Sequence, residues 1–355
     1  MLIYILLYIV IIFFEIADNV LHKRFTIGYS ISHSTRRWNV LFFFAFFILF
    51  VFSAIRFDVG WDYEMYYNVI VFDWKYISFR MNIEYFTELL VRLSQHLSWP
   101  PLFFIVNSFI TMFCVFRTIF DFSSDRWMSV IIFLGFPLFY LNSLSVVRFF
   151  TALSIVFYGY RFIVKGNFFR YLLTILIASM FHISSLFAIL FYLIRKIRLN
   201  FLNQLLIVCS LPLLEWLLYS VATSYSPYYA GYFSHTMIQQ GSKAIYFILA
   251  VWLLAFYLHN SLMKNNSLAK SSYNIYFIGV IIYSYFYYQG TLGHRQSLYG
   301  TIFSLLLIPQ LFDLIHDVKL KMILKFILYT MLFIFYYFVL LIGKRAYIPY
   351  LTIFH

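Results

Sequence analysis

Long uncharged stretches alternate with short polar ones along most of this chain. Eighteen consecutive residues, Trp38 to Ile55, carry no charge, and stretches of similar length recur further on. A helix needs about 17–25 mostly apolar residues to cross roughly 30 Å of hydrocarbon. The pattern therefore predicts an all-α, polytopic membrane protein. We place ten spans at residues 1–20, 38–56, 100–120, 127–142, 144–164, 201–221, 244–262, 273–290, 296–315 and 322–343.

Residues 168–197 are also apolar, and they fit either one long helix or a hairpin of two short helices that turns near FHISS. The basic loops decide between the two, because Lys and Arg concentrate on the cytoplasmic side of a membrane protein. A hairpin puts 17 of the 26 Lys and Arg residues on one side. We therefore predict twelve crossings with both termini outside. The inner basic residues are then Lys23, Arg24, Arg36, Arg37, Arg117, Arg126, Arg161, Lys165, Arg170, Arg195, Lys196, Arg198, Lys264, Lys270, Lys319, Lys321 and Lys325.

Composition supports the membrane class. The chain is 63% hydrophobic and 11% charged, whereas a soluble domain has about 25% charged residues. The net charge of +13 is explained by the inner loops, so we expect no nucleic-acid partner. Cys114 and Cys209 lie in apolar runs and form no disulfide framework. The N-terminus lacks a basic region and a cleavage site, which favours a retained span over a signal peptide.

The predicted topology leaves one domain, residues 1–355, with outer segments at 57–99, 223–243, 289–295 and 344–355. The stretch NIEYFTELLVRLSQHL has apolar residues at helical spacing, so we expect an amphipathic helix on the outer surface. The first outer segment holds six of the thirteen acidic residues, whereas the inner loops are too short for a nucleotide-binding domain. Chemistry is therefore expected on the outer side. The six acids are Asp58, Asp62, Glu64, Asp73, Glu84 and Glu88.

Five charged or titratable residues reach the outer ends of predicted spans from distant parts of the sequence: Arg56, Arg148, His182, His294 and Arg295. Ionisable residues within membrane segments are costly and usually functional. Guanidinium groups bind phosphate oxygens through two parallel hydrogen bonds and would stabilise a diphosphate leaving group. This convergence favours a phosphorylated ligand at the outer face.

A carboxylate or an imidazole near such a site could take a proton from an attacking hydroxyl. Asp62 and Asp58, which follow Arg56, are the first candidates. Tyrosines of the outer loops offer flat faces and hydroxyls for sugar rings. The predicted substrate is then a glycan linked to a polyprenyl diphosphate that lies in the bilayer.

The arginines, His182 and the tyrosines also have simpler structural explanations. Arg56 could reach the interface as an isolated charge, and Arg148 and Arg295 could pair with outer acids. His182 could be a packing residue, and an interfacial aromatic belt explains many of the 32 tyrosines. No metal is expected, because the histidines show no paired spacing and DVGWD alone is a weak signal for a divalent cation.

Several short motifs, in order along the chain, resemble the EpsG-like family, which belongs with the Wzy-type polysaccharide and O-antigen polymerases. An Arg-x-x-x-Gly-x-Asp-Tyr segment opens the outer loop, and an arginine that begins a helix is followed by Phe-His-x-Ser. A later arginine precedes a Tyr-containing helix that ends in Leu-x-Pro, and Pro-Tyr closes the pattern. The matching residues are Arg56, Gly60, Asp62, Tyr63, Arg148, Phe181, His182, Ser184, Arg295, Tyr299, Pro309, Pro349 and Tyr350. The chain departs from the family at Trp61 and at Gln296, where a smaller residue and Leu or Phe are common.

The resemblance implies a polymerase that transfers a growing glycan from undecaprenyl diphosphate to a lipid-linked repeat unit. It would work at the periplasmic face of a bacterial inner membrane, with a GT-C-like helical architecture, no cofactor and no metal. A chain-length regulator and a flippase are the implied partners. The implied residues are Arg56, Arg148 and Arg295 for the diphosphate, Asp62, His182 and Glu84 for catalysis, and Tyr63, Tyr67, Tyr228, Tyr229, His294 and Tyr299 for the glycan.

Three other functions fit parts of the pattern. An O-antigen ligase would use the same diphosphate chemistry with another acceptor. A flippase for lipid-linked oligosaccharides would also place arginines in the membrane, but along a cavity through both leaflets. A membrane acyltransferase would need a His–Asp pair and usually faces an acyl-CoA in the cytosol, and the inner loops, which are short and carry few acids, offer no such site.

Overall fold

The computed structural model describes residues 1–26, 39–72, 83–225, 242–265, 267–288 and 291–354. This part of the chain is almost entirely helical. Its elements are α1 (Leu2–Thr26), α2 (Val40–Ala54), β1 (Arg56–Phe57), α3 (Tyr63–Val71), α4 (Tyr85–His96), α5 (Pro101–Phe122), α6 (Arg126–Gly135), α7 (Tyr140–Ser145), α8 (Val147–Val164), α9 (Phe168–Ser179), a 3-10 helix (Ile183–Ala188), α10 (Ile189–Ile194), α11 (Phe201–Tyr225), α12 (Ile245–Tyr257), α13 (His259–Asn265), α14 (Ser267–Tyr285), α15 (Thr291–Thr301), α16 (Ser304–Phe312), α17 (Val318–Ile342), α18 (Lys344–Tyr347) and β2 (Leu351–Thr352).

Four helices are long and apolar enough to cross a membrane: Leu2–Leu21, Pro101–Phe122, Val147–Val164 and Val318–Ile342. Further helices are apolar but shorter, among them Val40–Ala54 and Ile245–Tyr257. The all-α membrane class predicted from the sequence is therefore confirmed. The count of twelve crossings, the GT-C-like architecture and the single-domain boundary stay predictions.

The segment 168–197 folds as a helical hairpin. The Tyr192 hydroxyl on α10 donates to the Gly166 carbonyl, 2.6 Å away, just before α9 begins. Tyr171 on α9 donates to the Ala188 carbonyl, also at 2.6 Å. These bonds join the two arms side by side, so the alternative of one continuous helix is wrong.

The predicted amphipathic helix is present as α4. Thr87, Val91 and Ser94 are buried against the protein, whereas Leu89 and Leu93 are 50% and 43% exposed. The helix thus packs through small residues and presents leucines outward, as expected of a helix that contacts lipid at an interface.

Several predicted spans are not continuous helices. Two are interrupted at a single residue, 144–164 at Val146 and 244–262 at Leu258, and two others divide more clearly. Residues 127–142 divide into α6 and α7, with a turn over 136–139 in which Pro137 has no N–H to continue the ladder. Residues 296–315 divide between α15 and α16, with a break at 302–303. The predicted outer turn at 289–295 is also displaced, because α15 already begins at Thr291.

An ionic cluster fixes three helices at one end of the bundle. Lys325 on α17 pairs with Glu15 on α1, and its Nζ lies 2.8 Å from Asp125 Oδ2 at the start of α6. The Tyr329 hydroxyl donates to Glu15 at 3.0 Å. Opposite charges that are largely removed from water stabilise a structure only when they are well paired, and here each carboxylate is. The residues singled out for chemistry lie at the opposite end.

Candidate functional site

The turn that follows α2 is built around Arg56. This side chain is only 1% exposed, and its guanidinium donates to the carbonyls of Ser53, Val59 and Leu144. The Val59 and Leu144 bonds are both 3.3 Å long, and the Phe104 ring lies 5.2 Å from Cζ. A buried arginine must satisfy its donors, and Arg56 does so with backbone carbonyls of the protein itself. It ties the loop that follows α2 to the α7–α8 junction.

Gly60 allows the loop to lie directly on that junction. Its φ is +111°, and a Cβ built there would be 2.2 Å from the Leu144 carbonyl oxygen. Its N–H donates to the Ala346 carbonyl at 2.7 Å. Two further contacts close the loop: the Trp61 N–H donates to Ser145 Oγ at 3.1 Å, and β1 pairs antiparallel with β2. The loop is therefore fixed from both sides before α3 begins.

Arg148, at the start of α8, is held in one orientation. Its Nη1 donates to Glu84 Oε2 at 2.7 Å, and its Nε donates to the Tyr66 hydroxyl at 3.2 Å. The Arg148 and Glu84 side chains are 13% and 15% exposed, so the pair is largely shielded from water. Glu84 also accepts from the Ile183 N–H at 3.1 Å. Glu84 thus connects α4, α8 and the hairpin turn.

The hairpin turn presents His182. The Ser184 N–H and hydroxyl both contact its Nδ1, at 3.4 and 2.7 Å, and the Ser184 hydroxyl lies 3.0 Å from the Tyr299 hydroxyl. The Phe149 ring packs edge-on against both His182 and Tyr299. Because Nδ1 accepts the backbone N–H, Nε2 carries the proton of the neutral ring. His182 can therefore donate one hydrogen bond to a ligand oxygen.

Arg295 on α15 brings the second guanidinium to this region. It forms no hydrogen bond or ion pair with the residues that the structure describes. Burial, together with the positive charges of Arg148 and Arg295, lowers the pKa of His182 to about 3. The imidazole therefore stays neutral near neutral pH.

The positive charges of Arg148 and Arg295 also act on Asp62. It is the residue before α3, yet its carboxylate does not cap that helix. Burial raises the pKa of the Asp62 carboxyl, and the charges of Arg295 and Arg148 offset this only in part. The arrangement combines two guanidinium groups for an anion, a neutral N–H donor and a carboxylate with increased basicity.

Most of the remaining predicted residues that the structure describes pack against other side chains. Tyr63 is 2% exposed and stacks on Phe104 with 4.2 Å between ring centroids. Tyr67 packs against Tyr63, and His294 against the Tyr283 ring. Tyr299 is buried and positions Ser184. The last two predicted glycan contacts, Tyr228 and Tyr229, lie outside the described residues.

Two residues that hold the site in place, Tyr66 and Phe149, were not predicted from the sequence. Tyr66 lies four positions after Asp62, and this spacing puts both on one face of α3. That signal is present in the sequence, but the surrounding tyrosines conceal it. Phe149 follows Arg148 and reads as an ordinary apolar residue; its role in holding His182 depends on where the hairpin packs.

The fold and the site together define an all-helical membrane protein with a group of cationic and polar side chains at one end of its helix bundle. The model of the EpsG family matches residues 39–352, which is most of the chain, and the protein belongs to this family. Membership associates it with polysaccharide polymerases that act as glycosyltransferases in the membrane. No curated protein and no solved structure gives a significant match.

Proposed function

We propose that the protein is a polysaccharide polymerase that transfers a growing glycan from undecaprenyl diphosphate to a lipid-linked repeat unit. The observation that carries this proposal is the arrangement of Arg148 and Arg295. The two come from different helices that meet at the hairpin turn. Ser184 contacts Tyr299, on the helix of Arg295, at 3.0 Å, and the Ile183 N–H donates to Glu84, the partner of Arg148, at 3.1 Å. Both positive charges lower the pKa of Asp62 and of His182. The site formed by Arg148, Arg295, Asp62 and His182 would face the periplasm of a bacterial inner membrane, on the side away from the basic loops.

The two arginines would bind the donor diphosphate. Planar guanidinium groups match phosphate oxygens and keep their charge at any working pH. Glu84 and Tyr66 hold Arg148 in place before a ligand arrives, so little reorganisation is needed when negative charge develops on the leaving group. The Nε2–H of His182 would add a neutral donor. We leave Arg56 out of this set, because its donors are taken by backbone carbonyls.

Asp62 would act as the general base. A carboxylate with a raised pKa accepts a proton more readily than an ordinary one. It would remove the proton of the acceptor hydroxyl while that oxygen forms a bond to the anomeric carbon. The bond from this carbon to the diphosphate oxygen breaks, and undecaprenyl diphosphate leaves with the electron pair. Asp62 holds the proton, and the arginines compensate the charge on the leaving group.

A gene deletion tests the function. We expect the deletion strain to lose its ladder of long glycan chains and keep single repeat units, and the intact gene to restore the ladder. Arg148→Ala and Arg295→Ala should fail to restore it, since loss of one preorganised donor costs about 10²–10³-fold in rate. Arg→Lys should restore it in part, because an ammonium provides charge without the planar fork.

Arg92→Ala is the matched control. Arg92 also forms an ion pair with a glutamate of α4, Glu88, but its side chain is 58% exposed. This variant should restore the full ladder. A deletion strain with unchanged chain lengths contradicts the polymerase assignment. Normal ladders in both arginine variants, at wild-type protein levels, contradict the diphosphate site.

A further inference from the structure

A cleft lies at the end of the bundle opposite to His182 and Arg295. It has a volume of about 610 Å³ and opens between the segment that follows the hairpin and the α12–α14 region. Arg198 and Lys270 stand on its two sides, and Phe201, Phe256 and Met263 provide apolar walls. The glycan chemistry proposed above uses none of these residues.

The charge of this cleft is uniformly positive. Arg195 and Lys196 precede Arg198 on the same segment, and Lys270 Nζ donates to the Lys196 carbonyl at 2.9 Å. Residues 189–214 and 245–312 contain no aspartate or glutamate. Basic residues brought together without an acidic partner attract an anion, and low-dielectric walls concentrate that attraction. The charge distribution of the cleft therefore favours an anion.

The floor of the cleft has hydrogen-bonding capacity to spare. Asn274 is 1% exposed, and its Nδ2 donates to the Ile194 and Ile197 carbonyls at 2.9 and 2.8 Å. Its Oδ1 and the Nδ1 of His259 are buried and have no hydrogen-bond partner in the described part of the protein. Buried polar atoms are normally paired. An acceptor such as Asn274 Oδ1 is suited to a hydroxyl group that donates.

The rim of the cleft continues into an apolar surface. Phe201, which lines the cleft, is 70% exposed, and Leu202, Leu205 and Leu206 on the same helix are 59%, 46% and 58% exposed. On a helix in a bilayer such side chains contact acyl chains. The cleft therefore offers a cationic, partly polar pocket directly beside a lipid-facing surface.

We propose that this cleft binds the headgroup of an anionic phospholipid that carries hydroxyl groups, as phosphatidylglycerol does. Arg198 and Lys270 bind the phosphodiester, a headgroup hydroxyl reaches the polar floor, and the acyl chains lie along α11. Basic pockets between membrane helices bind such lipids. A choline or ethanolamine headgroup would place its own cation beside Arg198 and Lys270, which is unfavourable.

Native mass spectrometry of the full-length protein in detergent tests the site, with phosphatidylglycerol, phosphatidylcholine or soluble glycerol phosphate added. We expect retention of phosphatidylglycerol and at least tenfold weaker retention of phosphatidylcholine. Arg198→Gln and Lys270→Gln should each reduce phosphatidylglycerol binding at least fivefold. Lys319→Gln, at an exposed lysine in the first turn of α17, should leave it unchanged. The unfolding midpoints without lipid serve as the folding control.

Three results would overturn the assignment. Equal retention of phosphatidylglycerol and phosphatidylcholine would show that the charge of the headgroup does not determine binding. Saturation of the site by glycerol phosphate alone would identify it as a site for a soluble phosphate ester. Undiminished binding in both glutamine variants would place the lipid elsewhere. If either variant fails to fold, the comparison of the two lipids on the unmodified protein still decides. None of these results depends on polymerase activity, so this inference and the proposed function stand or fall separately.

Discussion

Arg148 and Glu84 face each other across 2.7 Å, although 64 positions separate them in the sequence. The pair joins α8 to the amphipathic helix α4, because Arg148 lies in the first turn of α8 and Glu84 directly precedes α4. Since Glu84 also accepts from the Ile183 N–H, one carboxylate orients the arginine and holds the turn that carries His182. We therefore regard Glu84 as a positioning residue and Asp62 as the candidate base.

Glu84→Ala should reduce the rate of polymer formation about 10–100-fold, because Arg148 and His182 would no longer be held and misplacement of about 1 Å costs that much. Glu88→Ala, which removes the partner of the exposed Arg92 on α4, should leave the rate unchanged. The measurement is glycan formed per unit time by membranes containing equal amounts of protein. The positioning role is wrong if the two variants behave alike. Glu84→Gln keeps an acceptor for Ile183, so it should fall between them.

Polymer formation should fall as the pH decreases through the raised pKa of Asp62. A base must be ionised, and a raised pKa moves the loss to a higher pH than an ordinary aspartate would give. The pKa of His182, lowered to about 3, removes the usual histidine limb from the profile. Asp62→Asn should abolish most of the activity and flatten the acid limb of what remains. A profile of wild-type shape in Asp62→Asn would assign the base to another residue.

Arg56→Ala should chiefly affect stability. It would leave the buried carbonyls of Ser53, Val59 and Leu144 without their donor, and an unsatisfied buried polar group costs about 1–3 kcal/mol. We expect a lower unfolding midpoint in detergent and less protein in the membrane. Arg295→Ala should change neither, because Arg295 makes no hydrogen bond within the described part of the chain. An Arg56→Ala protein of normal stability that lacks activity would instead support a direct role at the diphosphate.

Gly60→Ala and Gly166→Ala separate backbone strain from steric conflict. Both glycines have positive φ, +111° and +71°, a region that costs other residues roughly 1–2 kcal/mol. At Gly166 the nearest atom to an added Cβ is 3.7 Å away, whereas at Gly60 the Leu144 oxygen is only 2.2 Å away. Gly166→Ala should therefore show a small loss of stability, and Gly60→Ala a much larger one together with loss of polymer. Equal unfolding midpoints in the two variants would contradict the close contact.

Much of the fold could be predicted from the sequence, because hydropathy and the distribution of basic residues are local signals. They identified the helical membrane class and favoured the hairpin over residues 168–197. They could not reveal the break at 302–303, where the chain stays apolar and neither residue is glycine or proline. Pro137 did mark the break at 136–139, but a hydropathy window averages over a single proline.

The candidate site was predictable to a smaller extent. Arg148 and Arg295 could be selected because charges near membrane ends are rare. The same rule also selected Arg56, since it does not distinguish an arginine that binds backbone carbonyls from one that faces a ligand. That distinction depends on Ser53, Val59 and Leu144 meeting around one side chain. Leu144 lies 88 positions from Arg56, and no local pattern reports such a distance.

The short ladder between β1 and β2 bears on the biosynthesis of the protein. Tyr350, just before β2, donates to the carbonyl of Phe52, in the last turn of α2, and 298 positions separate the two. The loop that carries Asp62 receives this second support only after every intervening helix has been translated and inserted. A nascent chain arrested on the ribosome before that point would hold both arginines of the site and still lack a finished loop. Completion of the site therefore depends on the segment that carries β2.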